Sequence, residues 1–196
     1  DYATSLLIPV ADVTLSAILG DPIVGVDDTK LDYLDRTVAK GKQRGHLWCF
    51  VGVGPLIGFT FTETWKAEDI KPWLSAVEGF IQCDDYKGYS YTVRSPEGPE
   101  RILVPPDKRL GCGMHVRRRF HRAFKGGDLR AAVPLKHIAD IYAVEKRARE
   151  LDLPPEGRLR LRQDESLPVL ERFNAWVDAT LPTLQPKSPQ IGRAHV

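Results

Sequence analysis

The sequence predicts an α/β fold built around a mixed sheet, and three observations lead there. Short runs rich in strand formers recur in the first half of the chain, at Ile23–Val26, His46–Val53, Leu56–Thr62 and Phe80–Cys83. Segments with apolar residues at helical spacing alternate with them and take over from Met114 onward. Two of the strand runs lead directly into acids, Asp27-Asp28 and Asp84-Asp85, and open α/β sheets place their chemistry at strand ends.

The elements follow in order. Residues 4–20 carry an apolar pattern that reads as one helix, ended by Gly20. Ile23–Val26 is a short buried strand. His46–Val53 and Leu56–Thr62 flank the turn signal Gly54-Pro55 and read as a hairpin. Ala67–Val77 is helical, with Glu68 and Asp69 suiting its positive N-terminal end and Pro72 shortening it or marking its start. Phe80–Cys83 is a second short strand, and Arg101–Val104 a further one. Met114–Phe124 is a helix closed by Gly126-Gly127. Leu135–Leu151 places Ile138, Ile141, Tyr142 and Val144 at helical spacing and stops at Pro154-Pro155. Ser166–Leu181 is the last helix, with Leu167, Leu170, Phe173, Trp176 and Val177 on one face.

Composition narrows the class. The chain has 196 residues, 42% hydrophobic and 28% charged, which excludes wholesale disorder and fibrous or collagen-like architecture. No apolar run approaches the roughly 18–20 residues that span a bilayer, so no membrane anchor is expected. Three cysteines are too few and odd in number for a disulfide framework and suit a reducing compartment. The only methionine is Met114, the chain begins Asp1-Tyr2-Ala3 without a signal peptide pattern, and the expectation is that the length describes a piece of a protein.

Charge is nearly balanced at +2 but unevenly spread. Lys108 to Arg130 holds eight bases against the single acid Asp128, a net +7, whereas the first 40 residues hold seven aspartates against Lys30, Arg36 and Lys40. An acidic front and a basic middle suit a metal site beside a polyanion groove; two solvated faces of a bipolar domain would look the same.

The candidate chemistry lies in a few constellations. If the strands before Asp27 and Asp84 lie side by side, these carboxylates meet and offer the hard oxygen ligands that magnesium takes; Asp pairs also serve simply as turn and cap residues. His115, Arg118, Arg119 and Arg122 share a helix face by their spacing of three and four and, with Arg117, form a basic stretch suited to phosphate contact, or a solvated face. Cys112-x2-His115 has a metal-ligand spacing, with Cys83 and His121 as further candidates for zinc, but structural zinc sites show two tight ligand pairs. A buried cysteine and a hydrogen-bonded histidine are the simpler reading. No phosphate loop, dinucleotide fingerprint or nucleophile elbow is present.

Together, Val26-Asp27-Asp28-Thr29, Gly45-His46-Leu47-Trp48, Ile81-Gln82-Cys83-Asp84-Asp85-Tyr86-Lys87-Gly88-Tyr89 and Cys112-Gly113-Met114-His115-Val116-Arg117-Arg118-Arg119-Phe120 resemble the insertion-sequence sixty-six transposase family. Ile141-Tyr142-Ala143-Val144-Glu145, Arg162-Gln163 and Pro186-Lys187-Ser188-Pro189 resemble its helical insertion. The resemblance implies a ribonuclease-H-like mixed sheet flanked by helices, with a C-terminal helical insertion. On it the chain divides into a helical lead-in (1–20), an incomplete catalytic core (21–130), a helical insertion (131–190) and residues 191–196, which do not resemble the family's continuation and are expected to be an artefactual tail.

The resemblance further implies a DDE transposase that cleaves transposon-end DNA and joins it to target DNA. It uses two magnesium or manganese ions and works as a homo-oligomer on DNA in the bacterial cytoplasm, at the nucleoid. It places the catalytic and metal-binding aspartates at Asp27 and Asp84, and DNA contacts at His115, Arg117, Arg118, Arg119 and Arg122. Asp85 stands where the family has glycine, which puts a positive-φ turn in question, and Gly113 stands where it has tryptophan. The third carboxylate, a Glu in an Asn-Asn-x-x-Glu-Arg-like motif, is absent from this chain, so weak or no activity is expected of it alone. A non-catalytic DNA-binding or interaction protein that keeps the fold is the alternative.

Overall fold

The computed structural model describes residues 2–95 and 98–184. The architecture is α/β with a five-stranded mixed sheet, as the alternation of strand and helix patterns predicts. Helix α1 (Tyr2–Leu19) leads in. Strands β1 (Ile23–Leu34), β2 (Lys42–Val51) and β3 (Ile57–Thr62) form an antiparallel meander. Helix α2 (Ala67–Leu74) then carries the chain to β4 (Phe80–Cys83). Strands β5 (Thr92–Ser95) and β6 (Gly98–Ile102) make a separate hairpin, and β7 (Arg109–Gly111) returns to the main sheet. The strand order is β3-β2-β1-β4-β7, with β1–β4 and β4–β7 parallel.

Alternation along the strands sends every second side chain to one face. Val24 and Val26 of β1, Trp48 and Phe50 of β2, and Ile81 and Cys83 of β4 are all buried there. Leu15, Ile18 and Leu19 of α1 and Ile70 and Leu74 of α2 close this core, together with Tyr86, Tyr89, Leu103 and Val104. The positions at i, i+3 and i+4 on the end of α1 are the apolar stripe that a packed helix needs.

Two elements differ from expectation. β1 runs on to Leu34 although its sequence turns polar after Val26, because β2 pairs with it without a break from Gly25↔Val51 to Leu34↔Lys42. Cross-strand contacts replace burial along this ribbon: Arg44 Nε lies 2.6 Å from Asp32 Oδ1. The strand expected at Arg101–Val104 is shifted to Gly98–Ile102 and pairs only with β5, while Leu103 and Val104 leave it for the core.

The chain separates into two compact units, residues 1–112 and 113–196. The second holds α3 (Gly113–Lys125), α4 (Ala132–Glu150), α5 (Pro155–Leu161) and α6 (Leu167–Thr180), with a π-helical turn at Arg162–Ser166 joining α5 to α6. Its core is Phe120, Ala123, Ala131 and Ile138, with Phe173 and Trp176 packed edge-on against Phe120. α4 ends at Glu150, before the Pro154-Pro155 pair expected to stop it: Asp152 takes a positive φ of 46°, and Leu153 N donates back to the Ala148 carbonyl at 3.0 Å. Pro155 begins α5, where its missing N–H costs nothing. Residues 185–196, which include the Lys-Ser-Pro segment and the expected artefactual tail, lie outside the described residues.

Candidate active site

The parallel pairing of β1 with β4 builds the site. Its register is Ile23↔Phe80, Val24↔Ile81 and Gly25↔Gln82. Asp27 lies two residues past Gly25, inside β1, and Asp84 lies two residues past Gln82, just beyond the end of β4. Alternation puts Asp27 on the face of Gly25, opposite the core face of Val24 and Val26. The expectation that both end their strands needs correction: Asp84 directly follows β4, but Asp27 lies inside β1, which β2 prolongs.

Each carboxylate is held by a backbone amide. Asp28 N donates to Asp27 Oδ1 at 2.9 Å, and Tyr86 N donates to Asp84 Oδ1 at 3.0 Å. Burial, then Cys83, then Asp84, Asp28 and Asp27 push the Tyr89 phenol well above its ordinary range. Burial and then Asp27 raise the Cys49 thiol, which faces Asp27 across the β1–β2 ladder. Carboxylate oxygens suit a hard divalent cation, which takes one or two protein carboxylates and completes its shell with water or phosphate oxygens. Among the described residues no group of three or more His, Cys, Asp or Glu side chains converges as a metal site.

A feature beyond the expected residues lies on the core side of the same strands. Asp28 points away from Asp27, and its Oδ2 lies 2.5 Å from Nδ1 of buried His46. The His46 ring is parallel to Trp65 at 5.7 Å, Trp65 stacks on Tyr86 at 4.4 Å, and the Tyr86 hydroxyl donates to the Trp65 carbonyl. His46 and Tyr86 stand in the recognised motifs, but strand periodicity alone gave them no role; Trp65 lies in a loop, and its sequence context suggests only packing.

Cys112 N donates to the Cys83 carbonyl at 2.8 Å, so the ends of β4 and β7 bring these two residues together. Burial pushes the Cys83 thiol up to about 12. His115 and His121, the other zinc candidates, lie on α3.

The basic stretch forms α3, with five cations, Arg117, Arg118, Arg119, Arg122 and Lys125, and no acid. Val116, Phe120 and Ala123 turn inward, as their spacing dictates. His115, Arg118, Arg119 and Arg122 occupy a stripe roughly 100° wide, whereas Arg117 lies about 160° of helical rotation from His115. Arg117, Arg118 and Arg122 are exposed; His115 and Arg119 are half-buried.

Over residues 2–194 the chain matches the family model described as Transposase IS66 family, and it belongs to that family. It is 28% identical over 183 residues to the uncharacterized protein y4jD of Sinorhizobium fredii, covering 85% of this chain and 33% of the relative. It is 23% identical over 200 residues to the uncharacterized protein y4hP of the same organism, covering 90% of this chain and 34% of the relative. The chain thus spans about a third of the length of these curated relatives. Among the described residues no helix is long and apolar enough to cross a membrane.

Proposed function

We propose that this chain carries the first two carboxylates of a DDE transposase catalytic domain with a ribonuclease-H-like sheet, and that residues 131–190 are its helical insertion. The observation that supports this reading is the parallel pairing of β1 with β4, which sets Gly25 beside Gln82, two residues before Asp27 and Asp84 respectively. In the intact enzyme they hold magnesium or manganese as part of a two-ion site. When bound, the metal supplies charge stabilisation at the scissile phosphate and activation of the attacking oxygen. Asp27 and Asp84 fix where that charge sits, through carboxylates oriented by the Asp28 and Tyr86 amides.

The partner is DNA, both transposon ends and target, and the assembly on DNA is a homo-oligomer in the bacterial cytoplasm, at the nucleoid. Arg118, Arg119 and Arg122, with His115, supply phosphate contacts from one stripe of α3, and Arg117 contacts phosphate from another side of that helix. Such contacts position DNA without reading its sequence.

The test is a magnesium-dependent cleavage and strand-transfer assay on the full-length form. Asp27→Asn and Asp84→Asn are each expected to lower the rate at least about a thousandfold, because residues that act as a unit are not additive. Full activity in both variants refutes the assignment. DNA binding without any metal-dependent chemistry in the unaltered protein supports the non-catalytic alternative.

A further inference from the structure

Asp27 and Asp84 each accept a hydrogen bond from a backbone amide close by in the chain. The amide that binds Asp27 belongs to Asp28, and the amide that binds Asp84 belongs to Tyr86. The side chains of these two residues enter the same column: Asp28 through its hydrogen bond to His46, Tyr86 directly, with the Trp65 ring stacked on both His46 and Tyr86. The Tyr86 hydroxyl closes the column on the Trp65 carbonyl. Gly88 passes so close that a Cβ there would lie 2.2 Å from the Tyr86 ring, which leaves the ring no room to swing aside.

We propose that the His46–Trp65–Tyr86 column is a positioning device that fixes the Asp27 and Asp84 carboxylates relative to each other, with Trp65 as the link between them. The inference rests on the reading of Asp27 and Asp84 as metal ligands. A packing role alone does not call for this arrangement. Trp65 is 47% exposed and adds little to the core, yet its ring lies on both His46 and Tyr86. Partners that orient metal-binding carboxylates commonly contribute tenfold to a hundredfold in metal affinity without touching the ion.

The experiment is manganese binding by the 196-residue chain, followed through the electron paramagnetic resonance signal of free Mn2+, with the metal-free Tm measured in parallel. Trp65→Ala is expected to weaken binding roughly tenfold, and Trp65→Phe, which keeps an aromatic face in the column, to restore it to within about twofold of the unaltered chain. A merely structural tryptophan would change Tm and leave the affinity of the folded protein alone.

Unaltered affinity in a folded Trp65→Ala variant overturns the proposal. If that variant does not fold, Tyr86→Phe removes only the hydroxyl that holds the Trp65 carbonyl; weaker binding then supports the proposal and equal binding overturns it. Asp27→Asn and Asp84→Asn separate the two claims. Binding lost in both but unchanged in Trp65→Ala sinks the column alone, whereas binding that neither aspartate variant affects sinks the metal site and the column with it.

Discussion

At the scale of single residues, close approach and hydrogen bonding decide which positions tolerate change. Gly88 is required by proximity and not by its backbone angle: an added Cβ would lie 2.2 Å from two carbons of the Tyr86 ring. Gly88→Ala is expected to destabilise the protein by about 1–3 kcal/mol, the usual cost of overpacking, measured by urea unfolding. Asp85 illustrates the opposite case. The glycine that the family pattern places there suggested a left-handed turn, but among the described residues Asp152 is the only non-glycine with positive φ, so aspartate meets no backbone penalty at 85.

Asp128 caps the turn after α3, accepting from Arg130 N at 3.1 Å and from the Arg130 guanidinium at 2.9 and 2.8 Å. That guanidinium holds its carboxyl below the ordinary 3.8. A lowered folded-state pKa means a stabilising contribution that is complete above the unfolded value and disappears as pH falls through the folded one. Asp128→Ala should therefore cost about 1 kcal/mol near neutrality, the typical worth of such a cap. The gap to the unaltered protein should narrow only below pH 3.8, in urea titrations at several pH values.

At the scale of elements, apolar burial outweighs the surface ion pairs. Phe120 anchors α3 against α6, 3% exposed and edge-on to Phe173 and Trp176. The π-helical turn is tied to α4 by Arg162, which makes 2.6 and 2.8 Å bonds to Glu145, and by the Arg147–Glu165 pair. Phe120→Ala is expected to cost about 3–5 kcal/mol, whereas Arg162→Ala should cost no more than about 1 kcal/mol, because half-exposed ion pairs are weak; thermal unfolding of both variants checks the contrast.

Which elements were legible follows from the same physics. Val24, Val26, Ile81 and Cys83 announce buried strands because their apolar side chains alternate or run together. The second half of β1, Asp28 to Leu34, announces nothing, since what holds it is the ladder to β2 and not its own pattern. β7, three residues long, is too short for periodicity to reveal, and of the β5–β6 hairpin, which lies apart from the main sheet, only the apolar end of β6 was readable. The inward face of α3 was readable from Val116, Phe120 and Ala123. The same spacing separates Arg117 from the stripe of Arg118, Arg119 and Arg122.

At the scale of the whole molecule, the sheet order matters most to the proposed site. Asp27 and Asp84 are far apart in sequence, and β1, between antiparallel β2 and parallel β4, sets the segments that precede them side by side. The two carboxylates could be picked out from their motifs, and their meeting followed if the strands paired. The column behind them could not be read, because Trp65 reaches it from a loop and its ring contacts have no periodic signature.

The central claim is that Asp27 and Asp84 share one ion, and a double-mutant cycle of manganese affinity tests it most directly. If they do, Asp27→Asn and Asp84→Asn each weaken binding by roughly tenfold or more, and the double variant falls well short of the product of the two losses, because groups on one ion couple. Losses that multiply as independent effects, or single variants that bind manganese as the unaltered chain does, would contradict it.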